Sequence, residues 1–104
     1  MEFIETHIFC ERVCNLLSDE EYAQLQLALT RAPRKGALIP QGGGLRKLRG
    51  SQGTRGKRGG LRVLYYLEHH ECCYMLFVYD KTQQQDLTRE QLKMLRNSVK
   101  GALS

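Results

Sequence analysis

The residues best suited to chemistry are cations set among glycines between residues 42 and 66. This stretch, GGGLRKLRGSQGTRGKRGGLRVLYY, holds eight of the chain's ten glycines and seven of its sixteen Lys and Arg residues. Glycine lets a backbone approach a phosphate closely, and guanidinium and ammonium groups supply the opposite charge. The residue types therefore predict a site for a phosphate-containing ligand.

The charge of the chain is segregated along the sequence. No Asp or Glu occurs from residue 22 to residue 67, and this span carries ten Lys and Arg residues. The rest of the chain has six basic and eleven acidic residues, so charges of +10 and −5 sum to the net charge of +5. Segregated charge indicates an anionic partner more strongly than net charge does.

The size and composition predict a single domain over residues 1–104, because 104 residues with 41% hydrophobic content can bury a modest core. No apolar run approaches the roughly 20 residues of a membrane span. The N-terminal sequence MEFIETHIF is acidic and has no apolar core, so no signal peptide is expected. The four cysteines are therefore expected to be reduced thiols in a cytoplasmic protein, packed as small buried side chains.

Apolar periodicity and helix caps predict the element order βααβββα. The first strand lies around Phe3 and Ile4. Side-chain caps then mark three helix starts, at Thr6, at Ser18 with Glu21, and at Thr88 with Gln91. The last helix is expected to end at Gly101.

Three further strands are predicted at residues 45–49, 61–67 and 72–79, after a loop at residues 34–44. The last of these strands, CCYMLFVY, is apolar on both faces and is expected inside the sheet. Short links between consecutive strands favour an antiparallel sheet with the helices packed on one face, which is an α+β fold.

Three segments carry a resemblance to a known family. They are GGLRKLR at residues 43–49, GKRGGLRVLYYL at residues 56–67 and CYMLFVYDKTQQQDLT at residues 73–88. In this order, with a glycine-rich basic loop, a polar turn and a closing helix, they resemble the RelE/ParE toxin superfamily. The resemblance covers about residues 18–95 and is closest to the HigB-like mRNA interferases.

The resemblance implies a small antiparallel sheet with two N-terminal helices and a C-terminal helix. It implies the toxin of a type II toxin–antitoxin system, which cleaves mRNA in the ribosomal A site and inhibits translation. No metal or cofactor is implied. The implied partners are the ribosome, mRNA and an antitoxin with a helix-turn-helix domain, through which alone the toxin would reach operator DNA.

Cleavage of this kind uses the 2′-hydroxyl of the RNA as the nucleophile and leaves a 2′,3′-cyclic phosphate. It needs a base for that hydroxyl, positive charge at the phosphate and an acid at the leaving 5′-oxygen. The three histidines, His7, His69 and His70, lie outside the basic stretch. Lysine, arginine and tyrosine side chains are therefore the expected functional groups.

Three residues are the candidate catalytic groups. Lys57 lies between Arg55 and Arg58, and neighbouring positive charge favours the neutral form of a lysine, so Lys57 is the candidate base. Arg62 matches the arginine before the hydrophobic-Tyr-Tyr run of the family and can hold the scissile phosphate through two parallel hydrogen bonds. Lys81 is the candidate acid or leaving-group stabiliser.

Further basic and aromatic residues are expected to bind RNA. They are Arg46, Lys47, Arg49, Arg55, Arg58, Tyr66 and Tyr79. Alternation along a strand places Arg46 and Arg49 on opposite faces, so only some of these residues can serve one site. Each tyrosine would either stack on a base or pack in the core.

Other functions stay open. A ParE-like protein would inhibit DNA gyrase without catalysis, and an RNA-binding regulator would use the basic loop only as an electrostatic grip. A metal site is not expected, because residues 69–73 lack ligand spacing and the adjacent Cys72 and Cys73 point to opposite faces of a strand.

Overall fold

The computed structural model describes residues 1–50, 60–69 and 71–103. Its elements in chain order are β1 (Glu2–Glu5), α1 (His7–Leu16), α2 (Asp19–Arg31), β2 (Ala37–Leu38), β3 (Arg46–Gly50), β4 (Leu61–Glu68), β5 (Cys72–Asp80) and α3 (Arg89–Leu103). The predicted order is confirmed, with one addition. The two-residue strand β2 lies in the segment that was expected to be a loop.

Side-chain caps start the helices at the predicted residues. The hydroxyl of Thr6 accepts a hydrogen bond from the backbone N–H of Phe9 at 3.2 Å. Reciprocal capping boxes begin the other two helices, formed by Ser18 with Glu21 at α2 and by Thr88 with Gln91 at α3. Each box satisfies backbone N–H groups that have no partner within the helix.

The helix α3 does not end at Gly101, so that prediction is wrong. It continues to Leu103, and Gly101 does not take the left-handed conformation with which glycine caps a helix. No helix in the described part of the chain is long and apolar enough to cross a membrane.

One five-stranded sheet has the order β1-β5-β4-β3-β2. Neighbouring strands run antiparallel except β1, which runs parallel to β5. The strand β5 lies between β1 and β4, as its apolar character on both faces predicts. The α+β fold class is confirmed.

Helices cover both faces of the sheet. Phe9 of α1 and Leu29 of α2 pack in one core cluster with Val63 of β4. Leu95 of α3 packs with Leu64, the next residue of β4, in a second cluster, which we call the α3-side cluster. The expectation that all helices lie on one face is wrong, because β4 carries apolar side chains on both of its faces.

An irregularity in the pairing of β4 with β5 changes the sheet face on which the last side chains of β5 lie. The register shifts between two rungs, Leu64 with Phe77 and Tyr65 with Met75. Leu76 is therefore an extra residue on β5, and such a bulge reverses the alternation beyond it. As a result Tyr79 packs in the α3-side cluster with Leu64.

The helix α1 covers the part of β5 that β1 leaves unpaired. The pairing of β1 reaches only as far as Met75. Beyond it, Arg12 Nε donates to the carbonyl oxygen of Val78 at 2.7 Å, and the guanidinium lies 4.5 Å from the centre of the Phe77 ring. These contacts protect an edge that could otherwise pair with another chain.

The hydroxyl of Tyr65 fastens the segment after α2 to the sheet. It donates to the carbonyl oxygen of Pro33 at 2.7 Å and accepts from the backbone N–H of Gly36 at 2.8 Å. Gly36 is required at its position, because a Cβ atom there would lie 2.8 Å from the Tyr65 ring. The buried Tyr65 side chain therefore helps to hold the segment before β2 on the sheet.

The substitution Tyr65→Phe should lower the free energy of unfolding by about 1–3 kcal/mol, because buried partners of the hydroxyl lose their hydrogen bonds. Urea denaturation measures this change. The matched control is Tyr74→Phe, since the Tyr74 hydroxyl donates to the partly exposed carboxylate of Glu68. The control should lose less than half as much stability, and equal losses would contradict the role given to Tyr65.

Candidate phosphate-binding site

Strand register brings several predicted site residues together. Arg49 of β3 pairs with Arg62 of β4, and Arg62 pairs with Tyr79 of β5. Lys47 lies two residues before Arg49 on the same face, opposite Leu64. We call Lys47, Arg49 and Arg62 the cationic site.

Arg62 is the only charged residue classed as buried in the described ranges, with 7% of its surface exposed. Its Nη1 donates to the carbonyl oxygen of Leu61 at 3.1 Å. Arginine stays charged at any physiological pH, so this burial places a permanent positive charge in the sheet. Burial and this hydrogen bond restrain the guanidinium.

Asp86, just before α3, joins the cationic site to the last helix. Its Oδ1 accepts hydrogen bonds from the backbone N–H of Leu87 at 2.8 Å, Lys47 Nζ at 3.4 Å and the Tyr79 hydroxyl at 3.5 Å. The Leu87 N–H, and then the charge of Lys47, hold the pKa of Asp86 below its usual value. Sequence reasoning missed this residue, although it lies in the segment at residues 73–88 that carries the family resemblance.

Tyr79 lies beside Arg62, on the neighbouring strand and the same face of the sheet. Its side chain is fully buried, and its ring centre is 6.1 Å from that of Phe77. Burial and the charge of Asp86 raise the pKa of Tyr79, against an opposing effect of Arg62. Its hydroxyl is therefore protonated at neutral pH and acts as a hydrogen-bond donor, while the stacking of Tyr79 on RNA stays a prediction.

The candidate acid Lys81 lies at the same end of the sheet. Its backbone N–H donates to the carbonyl oxygen of Gly60 at 2.8 Å, and its side chain is exposed. The candidate base Lys57 and the basic residues Arg55 and Arg58 lie outside the described residues. Gly50 is the last residue of β3, directly after Arg49, and Gly60 directly precedes β4, two residues before Arg62.

Arg46 is not part of the cationic site. It pairs with Tyr65, on the sheet face opposite to that of Arg49, as strand alternation predicts. Its Nη1 donates to the carbonyl oxygens of Gly36 at 2.8 Å and Arg34 at 3.3 Å. The guanidinium therefore holds the segment before β2.

Tyr66 is separated from Arg62 but lies nearer to Lys47, whose partner Leu64 is two residues before it. It lies four residues along β4 from Arg62, which corresponds to about 13 Å of strand. Its ring packs at the margin of the α3-side cluster, where a Cβ atom on Gly44 would approach it to 2.7 Å. Gly44, with a φ of 100°, is thus required both by its backbone conformation and by this ring.

The four cysteines are free thiols in different environments. Cys73 is buried and Cys14 is exposed, while Cys10 and Cys72 are intermediate. The expectation of buried cysteines is therefore correct for Cys73 and wrong for Cys14. Within the described ranges, no group of three or more His, Cys, Asp or Glu side chains could hold a metal ion.

The fold and the cationic site define a small α+β protein that presents fixed positive charge at one end of its sheet. A family model described as the RelE toxin of the RelE/RelB toxin–antitoxin system matches residues 12–104. The chain therefore belongs to the RelE toxin family, and this family implies an antitoxin partner. The resemblance to the RelE/ParE superfamily is confirmed, and the closer relation to HigB stays a prediction.

Thiol labelling should separate two of the cysteines. Burial raises the pKa of Cys73 to about 12, so almost none of it is thiolate at about pH 8, whereas Cys14 is open to the reagent. Iodoacetamide should modify Cys14 in the native protein and reach Cys73 only in urea, as measured by peptide mass spectrometry. Equal labelling rates in the native protein would contradict the packing described for β5.

Proposed function

We propose that this chain is a ribosome-dependent mRNA endoribonuclease that acts in the cytoplasm and inhibits translation. Membership of the RelE toxin family supports the toxin role in a type II toxin–antitoxin system. The observation that carries the nuclease proposal is the buried guanidinium of Arg62, in register with Arg49 and beside the acid-free basic stretch. No cofactor is part of the proposal.

In the proposed reaction the 2′-oxygen of one nucleotide attacks the adjacent phosphorus. The P–O bond to the 5′-oxygen breaks, and the products are a 2′,3′-cyclic phosphate and a 5′-hydroxyl. Negative charge builds up on the non-bridging oxygens, where the fixed guanidinium of Arg62 stabilises it. Arg62 exchanges no proton, because arginine remains charged throughout.

Proton transfer is assigned to lysines. Lys57 accepts the proton of the 2′-hydroxyl, and Lys81 donates a proton to the leaving 5′-oxygen. The position of Lys81 after β5, with its backbone bonded to Gly60, supports a place near Arg62, since Gly60 is two residues before it. A lysine exchanges protons efficiently only where its charged form is disfavoured. Neighbouring positive charges have this effect.

The other cations bind the substrate. Lys47 and Arg49 share the face of Arg62, and Arg55 and Arg58 extend the same basic stretch. Phosphate contacts fix the path of an RNA strand without reading its sequence. The ribosomal A site would then supply the mRNA in position, and the antitoxin would silence the toxin and carry any contact with operator DNA.

Primer extension on cellular mRNA after brief expression tests this function. Cuts that fall within coding frames, and that appear only while the mRNA is being translated, would support the nuclease. Double-strand breaks in DNA would instead indicate a gyrase inhibitor, and growth arrest with neither lesion would indicate an RNA-binding regulator. The three functions can therefore be distinguished in the same culture by the lesions that they do or do not cause.

The substitution Arg62→Ala should reduce mRNA cleavage by about 100- to 1000-fold, the loss expected when a fixed donor to transition-state charge is removed. Arg62→Lys should recover little activity, because an ammonium cannot form two parallel hydrogen bonds. The control Arg31→Ala removes an exposed cation at the end of α2 and should cleave normally. Circular dichroism verifies folding, and full cleavage by folded Arg62→Ala would refute this assignment.

RNA binding should depend strongly on salt. Seven Lys and Arg residues lie from Arg46 to Arg62. If about four of them contact phosphates, the slope of log K against log salt should be about −3, since each contact on a single strand contributes about −0.7. Fluorescence anisotropy with a labelled non-cleavable RNA measures the slope, and a flat response would exclude this surface as the RNA-facing one.

A further inference from the structure

Asp86 brings a carboxylate to the cationic site, and the reaction proposed above gives it no role. Its Oδ1 contacts groups from three parts of the fold: Lys47 on β3, Tyr79 on β5 and the backbone of Leu87 before α3. Contacts to three separate parts of the fold fix the position of this carboxylate, so we asked what it does.

The backbone around Asp86 is fixed as well. Gln84 Nε2 donates to the carbonyl oxygen of Asp86 at 3.0 Å and to Gln91 Oε1 at 2.9 Å. Gln91 belongs to the capping box that begins α3. The carboxylate is therefore anchored to the start of a helix, which sets its position relative to the sheet.

Stability does not account for the ion pair. The Lys47 and Asp86 side chains are 34% and 70% exposed, and ion pairs this open to water contribute little to folding. Proton abstraction does not account for it either. The hydrogen bond from Leu87 lowers the pKa of Asp86, and a carboxylate of low pKa is a weak base at neutral pH.

The geometry of the sheet suggests a different role. Lys47 is one strand away from Arg62 and offset by two residues, so their Cα atoms lie about 8 Å apart. Two long side chains at this separation can reach phosphates of neighbouring nucleotides. A lysine side chain is flexible, however, and an acceptor that restrains its ammonium removes much of this freedom.

We propose that Asp86 is a positioning residue of the nuclease site: it holds the Lys47 ammonium so that Lys47 and Arg62 bind neighbouring phosphates of one RNA strand. The inference rests on the proposed function. An ammonium group has three donors, so Lys47 can contact the carboxylate and a phosphate together. The Tyr79 hydroxyl supports Asp86 from the core side and fixes the carboxylate relative to Arg62.

The experiment is single-turnover cleavage of mRNA on programmed ribosomes by the purified full-length protein. Asp86→Asn keeps the shape and removes the charge, and Lys47→Gln removes the ammonium. Each variant should cleave about 10- to 100-fold more slowly, as expected when a contact to the substrate is displaced. The double variant should be no slower than Lys47→Gln alone, because Asp86 acts through Lys47.

Three further readouts separate positioning from other roles. The pH dependence of the Asp86→Asn rate should keep its wild-type shape, whereas loss of a general base would remove the acid limb. Asp86→Glu should restore part of the rate. The control Glu90→Gln removes an exposed acid from the first turn of α3 and should cleave at the wild-type rate. All rates are compared at a temperature at which circular dichroism finds each variant folded.

The outcomes distinguish this inference from the function on which it depends. Wild-type protein that cuts no mRNA overturns the nuclease proposal and this inference with it. If the wild type cleaves, a wild-type rate for Asp86→Asn overturns the inference alone. The inference is also overturned if adding Asp86→Asn to the Lys47→Gln variant slows cleavage as much as it does in the wild type. Loss of the acid limb from the pH profile of Asp86→Asn would overturn it as well.

Discussion

The place of Tyr79 beside the cationic site depends on one extra residue in β5. Leu76 shifts the alternation of the strand, and only this shift places Tyr79 on the face of Arg62. The bulge costs ladder hydrogen bonds, but the fold offsets this cost in two ways. Leu76 packs in the α3-side cluster, and its carbonyl oxygen accepts a hydrogen bond from the hydroxyl of Thr6 at 3.1 Å. The residue that caps α1 thus also supports the bulge.

Strand pairing places two arginines of the cationic site opposite each other. Arg49 and Arg62 pair across β3 and β4, and like charges directly opposite each other destabilise a sheet. An anion between the two strands changes repulsion into attraction. Asp86 pairs with Lys47, the third cation of the cationic site.

Local features could be predicted from the sequence, and long-range ones could not. The capping box of Ser18 with Glu21 lies within four residues, so its pattern alone located the start of α2. The bulge at Leu76, the parallel pairing of β1 and the place of α3 depend on contacts between distant segments. Asp86 was missed for the same reason, since its partner Lys47 is 39 residues away. The cationic surface was predicted because acids are absent from a continuous stretch.

The support that Thr6 gives to Leu76 spans 70 residues of chain. Contacts between residues so far apart in the sequence form late, because a long intervening chain must be ordered first. During synthesis β1 and α1 leave the ribosome first, yet they cannot dock until β5 has followed. The adjacent strands β4 and β5 can pair as soon as both are made. A nascent chain therefore has no finished sheet until β5 has been translated.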